Sequence, residues 1–177
     1  MSVESFQIRR AAPNDIDALV ELARTTFTDT YKLTDDAAEI EDYVTSKFTR
    51  PVFESILRDA NSDLYVVSDG ERLVGYAHLR QETPPPCVTG PDPIELHRLY
   101  LREDQFGKGL GARLVSLAFQ TARERNRRTL WLCVYERNQK AIEFYQRCGL
   151  IEVGKMEFVF GGRVYLDPAM AATVQYA

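Results

Sequence analysis

Glycine recurs at alternate positions in Gln105-Phe106-Gly107-Lys108-Gly109-Leu110-Gly111-Ala112, between the strand-like segment Ile94–Leu101 and a helical stripe reaching about Asn126. No other segment constrains the fold as much. Glycine takes backbone angles closed to other residues and lets the main chain approach a ligand closely. The first N–H groups of the helix have no intrahelical acceptor and carry the positive end of its dipole. Strand, glycine turn and helix start, in that order, suit a phosphate group. A tight turn without any ligand would use the same residues, so the turn alone leaves both readings open.

Two familiar phosphate motifs fit poorly. The P-loop needs four residues between its glycines and then Lys-Ser/Thr, which is absent. Gly107-x-Gly109-x-x-Ala112 has the form of the dinucleotide fingerprint, and Glu136 follows the next strand. That fingerprint follows its strand directly, whereas Arg102 to Phe106 intervene here, and there is no second mononucleotide half.

The remaining pattern is mixed. Phe6 to Arg10 reads as a strand, and Pro13-Asn14-Asp15 opens a helix striped by Ile16, Leu19, Val20, Leu22 and Ala23. Asp35-Asp36 starts a second helix and Pro51 a third, Val52 to Asp59. Leu64–Val67, the turn Asp69-Gly70-Glu71-Arg72 and Leu73–Arg80 form a hairpin. A Pro/Gly-rich loop leads to Ile94–Leu101. Leu130–Tyr135 is a strand, Asn138–Arg147 a helix capped by Gly149, and Ile151–Glu157 with Arg163–Leu166 the last strand pair. This is an α/β chain with helices on both faces of a mixed, mainly antiparallel sheet. Its 177 residues suit a single domain, 1–177.

Composition narrows the function classes. No segment approaches the ~20 apolar residues of a membrane helix. Met1-Ser2-Val3-Glu4-Ser5 has no basic-then-apolar pattern, which argues against a secretory leader. Cys87, Cys133 and Cys148 are odd in number and lack metal-ligand spacing, so a reducing, cytoplasmic setting and no metal are expected. The net charge of −4 disfavours nucleic acid. Charge is unevenly spread. Asp15 to Asp42 holds nine acidic residues against Arg24 and Lys32, and Arg102 to Arg128 holds seven basic residues against three acidic ones.

A second motif follows the strand Leu130–Tyr135. Asn138 and Tyr145 share a helix face with Ala141 and Ile142 between them, and Asn suits a helix start. Strand Leu99-Tyr100-Leu101, turn Gly107-Lys108-Gly109-Leu110-Gly111-Ala112 and Asn138-x-x-Ala141-x-x-Phe144-Tyr145-x-x-x-Gly149-Leu150 together resemble the GNAT superfamily of N-acetyltransferases. Three segments are similar to the bacterial PaiA-type spermine/spermidine acetyltransferases: Ile94–Leu101, Leu130–Asn138 and Phe158-Val159-Phe160-Gly161-Gly162. The chain departs from the superfamily at Phe106, where Gln or Arg is usual; its Gln lies one place earlier, at Gln105.

The resemblance implies the acyl-CoA N-acyltransferase fold and acetyl transfer from acetyl-CoA to a primary amine in a ternary complex. The pantetheine arm would pair with the backbone of Leu99, Tyr100 and Leu101, as an added strand does. The pyrophosphate would sit on the N–H groups of Gly107 to Ala112, with Gln105 and Phe106 as further cofactor-binding candidates and Asn138 orienting either cofactor or helix. Tyr145 takes the family's general-acid role toward the departing thiolate. Glu95 and His97, two apart on one strand face, are candidate bases, direct or through water; a structural ion pair or a core histidine is the competing reading. A covalent route through Cys133 would need an adjacent base, and none is evident.

In the superfamily the first helices wall the acceptor side. An acidic wall would attract a cation, so a small cationic amine such as a polyamine is the expected acceptor. Protein N-termini or lysines, and a non-catalytic acetyl-CoA-binding module, are the alternatives. A homodimer through edge strands and positions such as Tyr165 and Met170 is a further expectation.

Overall fold

The computed structural model describes residues 6–176; Met1–Ser5, on which the leader argument rests, lie outside the described residues. The elements follow the sequence pattern closely. Strand β1 (Phe6–Arg10) leads through a short 3-10 turn into helix α1 (Ile16–Tyr31), then α2 (Ala37–Lys47) and α3 (Arg50–Arg58). Asp36 caps α2 by accepting from Ala38 N at 2.9 Å, and Thr49 caps α3 with Pro51 in its first turn. Strands β2 (Ser62–Asp69) and β3 (Arg72–Arg80) meet at Gly70, whose φ of 60° meets the turn's demand for a left-handed residue. Then come β4 (Pro93–Leu101), α4 (Leu110–Glu124), β5 (Thr129–Cys133), α5 (Gln139–Arg147), β6 (Ile151–Phe160) and β7 (Arg163–Thr173).

The seven strands lie in the order β1-β2-β3-β4-β5-β7-β6. β4 and β5 run parallel, while β1–β2, β5–β7 and β6–β7 are antiparallel. The sheet is therefore mixed, as the sequence pattern predicts. No helix among the described residues is long and apolar enough to cross a membrane.

The residues form two compact units. One runs through His78 and resumes at Arg98–Gly111; the other comprises Leu79–His97 and the chain from Ala112 onward. The core of the first combines Leu19, Leu22, Phe48, Phe53, Val66 and Tyr76. Phe27 of α1 stacks on Tyr31 at 4.3 Å and on Tyr43 at 4.5 Å. In the second, Val88, Trp131 and Ala171 pack with Cys87, Cys133 and Met156.

Several strand ends differ from the sequence pattern, β5 and β7 with the most consequence. β5 stops at Cys133, short of Tyr135. β7 runs past Leu166 to Thr173, through Asp167-Pro168 and an alanine-rich run to which the sequence pattern assigns no element. Proline cannot donate to a ladder, but the Pro168 carbonyl accepts from Val134 N at 3.1 Å. β7 is an interior strand, so Tyr165 and Met170 are buried within the chain, at 3% and 0% exposure. That corrects the expectation that they contribute to a dimer contact.

Candidate active site

Interior strands of a covered sheet are normally buried along their length. β4 is the fourth of seven strands, and Ile94, Glu95 and Leu96 obey the rule, but His97 through Leu101 are each only half-buried. The ladder with β5 runs from Pro93↔Thr129 to Glu95↔Trp131 and, among the described residues, goes no further, while β4 continues to Leu101. β4 thus runs on past its β5 ladder at Leu99, Tyr100 and Leu101. On the β3 side, a Cβ on Gly75 would collide with the Leu101 side chain and stand 3.0 Å from the Tyr100 carbonyl oxygen. Glycine at 75 is what lets β3 pass so close to this stretch.

Glu95 and His97 are brought together. His97 Nδ1 lies 3.2 Å from Glu95 Oε1, and Arg80 Nε donates to Glu95 Oε2 at 2.5 Å. Burial pushes the Glu95 pKa up, but the bonds and charges of His97 and Arg80 outweigh it and hold the carboxyl below its usual value. An ionised Glu95 is an acceptor only, so His97 presents Nδ1–H to it, and Nε2 becomes the basic nitrogen of the neutral ring. A carboxylate so stabilised is a weak proton acceptor; its geometry suits orienting His97 instead.

The glycine turn is built for its backbone. Gly107 and Gly109 have φ of 79° and 78°, and a Cβ on either would meet nothing within 4 Å. Conformation, not crowding, excludes other residues there. Leu110 is buried and anchors the start of α4, with Gly111 and Ala112 in its first turn. Gln105 is 4% exposed while Phe106 is 63% exposed, so the displaced glutamine turns inward and does not replace a surface phosphate contact. Lys108 stands over the Phe6 ring at 5.5 Å. The open, left-handed turn fits a pyrophosphate held by main-chain N–H groups.

Asn138 caps α5, its Oδ1 accepting from Ala141 N at 3.1 Å. Tyr145, on the same helix, is buried beside Phe144. Burial, with the charges of Asp167 and Glu95, pushes the Cys133 thiol up to about 12, which keeps it protonated and opposes a covalent route. Asp167 accepts from Glu136 N at 2.9 Å, yet burial and the Glu136 charge raise its pKa to about 6.

The acidic segment is largely spent on structure. Asp15 pairs with Arg9 at 2.7 Å, Asp17 with Arg50 at 2.6 Å, Glu21 with Arg102 at 2.6 Å and Asp29 with Lys32 at 2.8 Å, while Asp36 caps α2. Its attraction for a cation is correspondingly reduced. Three residues escaped the sequence reading: Arg80, Arg98 and Asp167. Arg98 had a signal, because period-two alternation sets it among Ile94, Leu96 and Tyr100, a charge on an otherwise uncharged strand face.

A seven-stranded mixed sheet, a middle strand that outruns its β5 ladder and a left-handed glycine turn ahead of α4 are features of an acyl-CoA N-acyltransferase fold. The acetyltransferase (GNAT) family model matches residues 16–150, and the chain belongs to that family and is an acetyl-CoA-dependent N-acetyltransferase. An uncharacterized N-acetyltransferase of Lactobacillus delbrueckii subsp. lactis is 25% identical over 155 residues, 88% of this chain and 90% of that protein. The PaiA N-acetyltransferase of Thermoplasma acidophilum, solved with coenzyme A, has a similar fold at a TM-score of 0.76 and 21% identity, covering 96% of this chain and 99% of that one. Spermidine N-acetyltransferase of Vibrio cholerae, solved with CoA and spermine, gives 0.70 and 18%, covering 96% and 95%.

Proposed function

We propose that this chain, acting as one catalytic domain in the cytoplasm, transfers the acetyl group directly from acetyl-CoA to the primary amine of a small molecule. The stretch of β4 beyond its β5 ladder, Leu99–Leu101, carries the reading. It leaves strand backbone available to pair with pantetheine amides, and the main-chain N–H groups of the turn from Gly107 to Ala112 would take the pyrophosphate.

The attacking amine must be neutral. His97, oriented by Glu95 through Nδ1, accepts its proton at Nε2, directly or through a water. Arg80 holds Glu95 in its charged form. The amine attacks the thioester carbonyl, the C–S bond breaks, Tyr145 donates its hydroxyl proton to the departing thiolate, and the surplus proton on the new amide nitrogen passes, directly or through water, back to Tyr145. Asn138 acts indirectly, by fixing the start of the helix that carries Tyr145.

The polyamine reading draws its support from segments similar to PaiA-type enzymes and from the fold neighbour solved with spermine. The pairing of Asp15, Asp17, Glu21 and Asp29 removes much of its electrostatic support. A homodimer would use the outer strand β6, where Ile151 and Val159 are 67% and 63% exposed. The experiment is thiol release from acetyl-CoA against spermidine, spermine, putrescine, lysine, an aminoglycoside and a short peptide, with Tyr145→Phe in parallel. Turnover lost in the variant supports the mechanism. Acetyl-CoA binding without turnover on any amine would favour a binding module instead.

A further inference from the structure

Beside the cofactor strand lies a polar pair that the acetyl-transfer chemistry does not use. Arg98, on β4 next to Leu99, has its guanidinium 4.9 Å over the Phe48 ring, and its Nη1 is buried with no hydrogen-bond partner. Tyr76, on β3, is fully buried, and its hydroxyl also lacks a partner. Its ring stacks on Tyr100 at 5.7 Å and meets Phe53 edge-on at 6.3 Å. The Arg98 charge acts on the hydroxyls of both Tyr76 and Tyr43, so the guanidinium and the phenols share one neighbourhood.

Folded proteins rarely leave a buried donor unpaired, and a buried guanidinium still less. Arg98 has no carboxylate at salt-bridge distance among the described residues, although nine acidic residues lie between Asp15 and Asp42. Neighbouring arginines are treated differently: Arg102 takes Glu21 and Arg80 takes Glu95. The half-exposure of Arg98 and Tyr100 gives a small molecule a way in. The group that satisfies a guanidinium and a phenol at once is an acceptor-only anion, and a carboxylate matches the guanidinium fork.

We infer that Arg98 and Tyr76 form a specificity subsite that binds a carboxylate on the amine acceptor, so that the substrate class is amino-acid-like rather than polyamine-like. The inference rests on the acetyltransferase reading, because the subsite adjoins the backbone assigned to the pantetheine arm. A polycation placed here would face Arg98 and lose affinity by like-charge repulsion. The half-buried rings of Tyr43 and Tyr100 leave apolar surface for an apolar or aromatic body between amine and carboxylate, whereas Phe48 is buried under Arg98.

Matched pairs differing only in the carboxylate test this: lysine against cadaverine, ornithine against putrescine, phenylalanine against phenethylamine. Binding to protein loaded with CoA, which cannot react, is measured by calorimetry. Turnover with acetyl-CoA is measured separately, so a failure of catalysis is distinguishable from a failure of the subsite. In at least one pair the carboxylate-bearing member binds roughly tenfold or more tightly. Arg98→Gln and Tyr76→Phe reduce that preference, chiefly through KM, with acetyl-CoA affinity as the control for folding. Equal binding within every pair, or of no member at all, overturns the inference, as does tighter binding of the decarboxylated members or a preference that survives Arg98→Gln.

Discussion

Tyr145→Phe removes one hydroxyl from a buried ring and leaves its packing beside Phe144 in place. If that hydroxyl protonates the leaving thiolate, kcat falls roughly ten- to a thousandfold while acetyl-CoA affinity stays within about twofold. Stopped-flow thiol release and calorimetry measure the two quantities separately. Asp167 has the opposite character, a carboxyl disfavoured in its charged form. Its folded pKa of about 6 lies above the ordinary 3.8, so its protonation stabilises the fold below the unfolded value, and that contribution is lost as pH rises through 6. Asp167→Asn keeps an oxygen for Glu136 N–H and removes the charge. It raises stability at pH 8 by on the order of 1–3 kcal/mol, and the advantage shrinks toward pH 4. Urea denaturation at the two pH values checks the sign. Glu95 runs the other way: its stabilising share is present above its unfolded value and lost as pH falls through its depressed folded value.

At the scale of elements, caps and turns carry the argument. Asn138 bonds Ala141 N at the start of α5, so Asn138→Ala costs about 1 kcal/mol of stability. Acetyl-CoA affinity is unchanged if capping is its role; a tenfold weaker Kd would return it to the cofactor contacts. Gly107 and Gly109 stand in open space with positive φ, so alanine costs about 1 kcal/mol at each through backbone strain alone. The double variant Gly107→Ala/Gly109→Ala weakens acetyl-CoA binding far more than it lowers Tm, because the strained turn no longer aims its N–H groups at a phosphate. Both elements were legible beforehand: Asn before an apolar helix stripe and glycines between strand and helix are local signals. Gln105 was not, because one place along a turn separates a buried side chain from an exposed one.

At the scale of the whole chain, β7 decides the second unit. It pairs with β5 from Thr129↔Thr173 to Cys133↔Ala169 and with β6 from Ile151↔Ala171 to Phe160↔Arg163. A chain truncated after Gly162 leaves β6 without a partner and β5 with only its short ladder to β4, and no cooperative thermal transition is expected; circular dichroism against temperature tests this. A retained transition would mean that β5 and β6 close without it.

Legible in the residues alone were the element order, the glycine turn, the start of the helix at Asn138, the family motifs and the placement of Glu95 and His97 on one strand face. Each depends on spacing within a few residues, which helix and strand periods convert directly into geometry. Tertiary structure alone decided the insertion of β7 between β5 and β6, the pairing that neutralises Asp15, Asp17, Glu21 and Asp29, the capture of Glu95 by Arg80, and the solitude of Arg98 beside Tyr76. Those depend on which distant segments meet, and ionisation, burial and partnership follow from that meeting rather than from any local pattern.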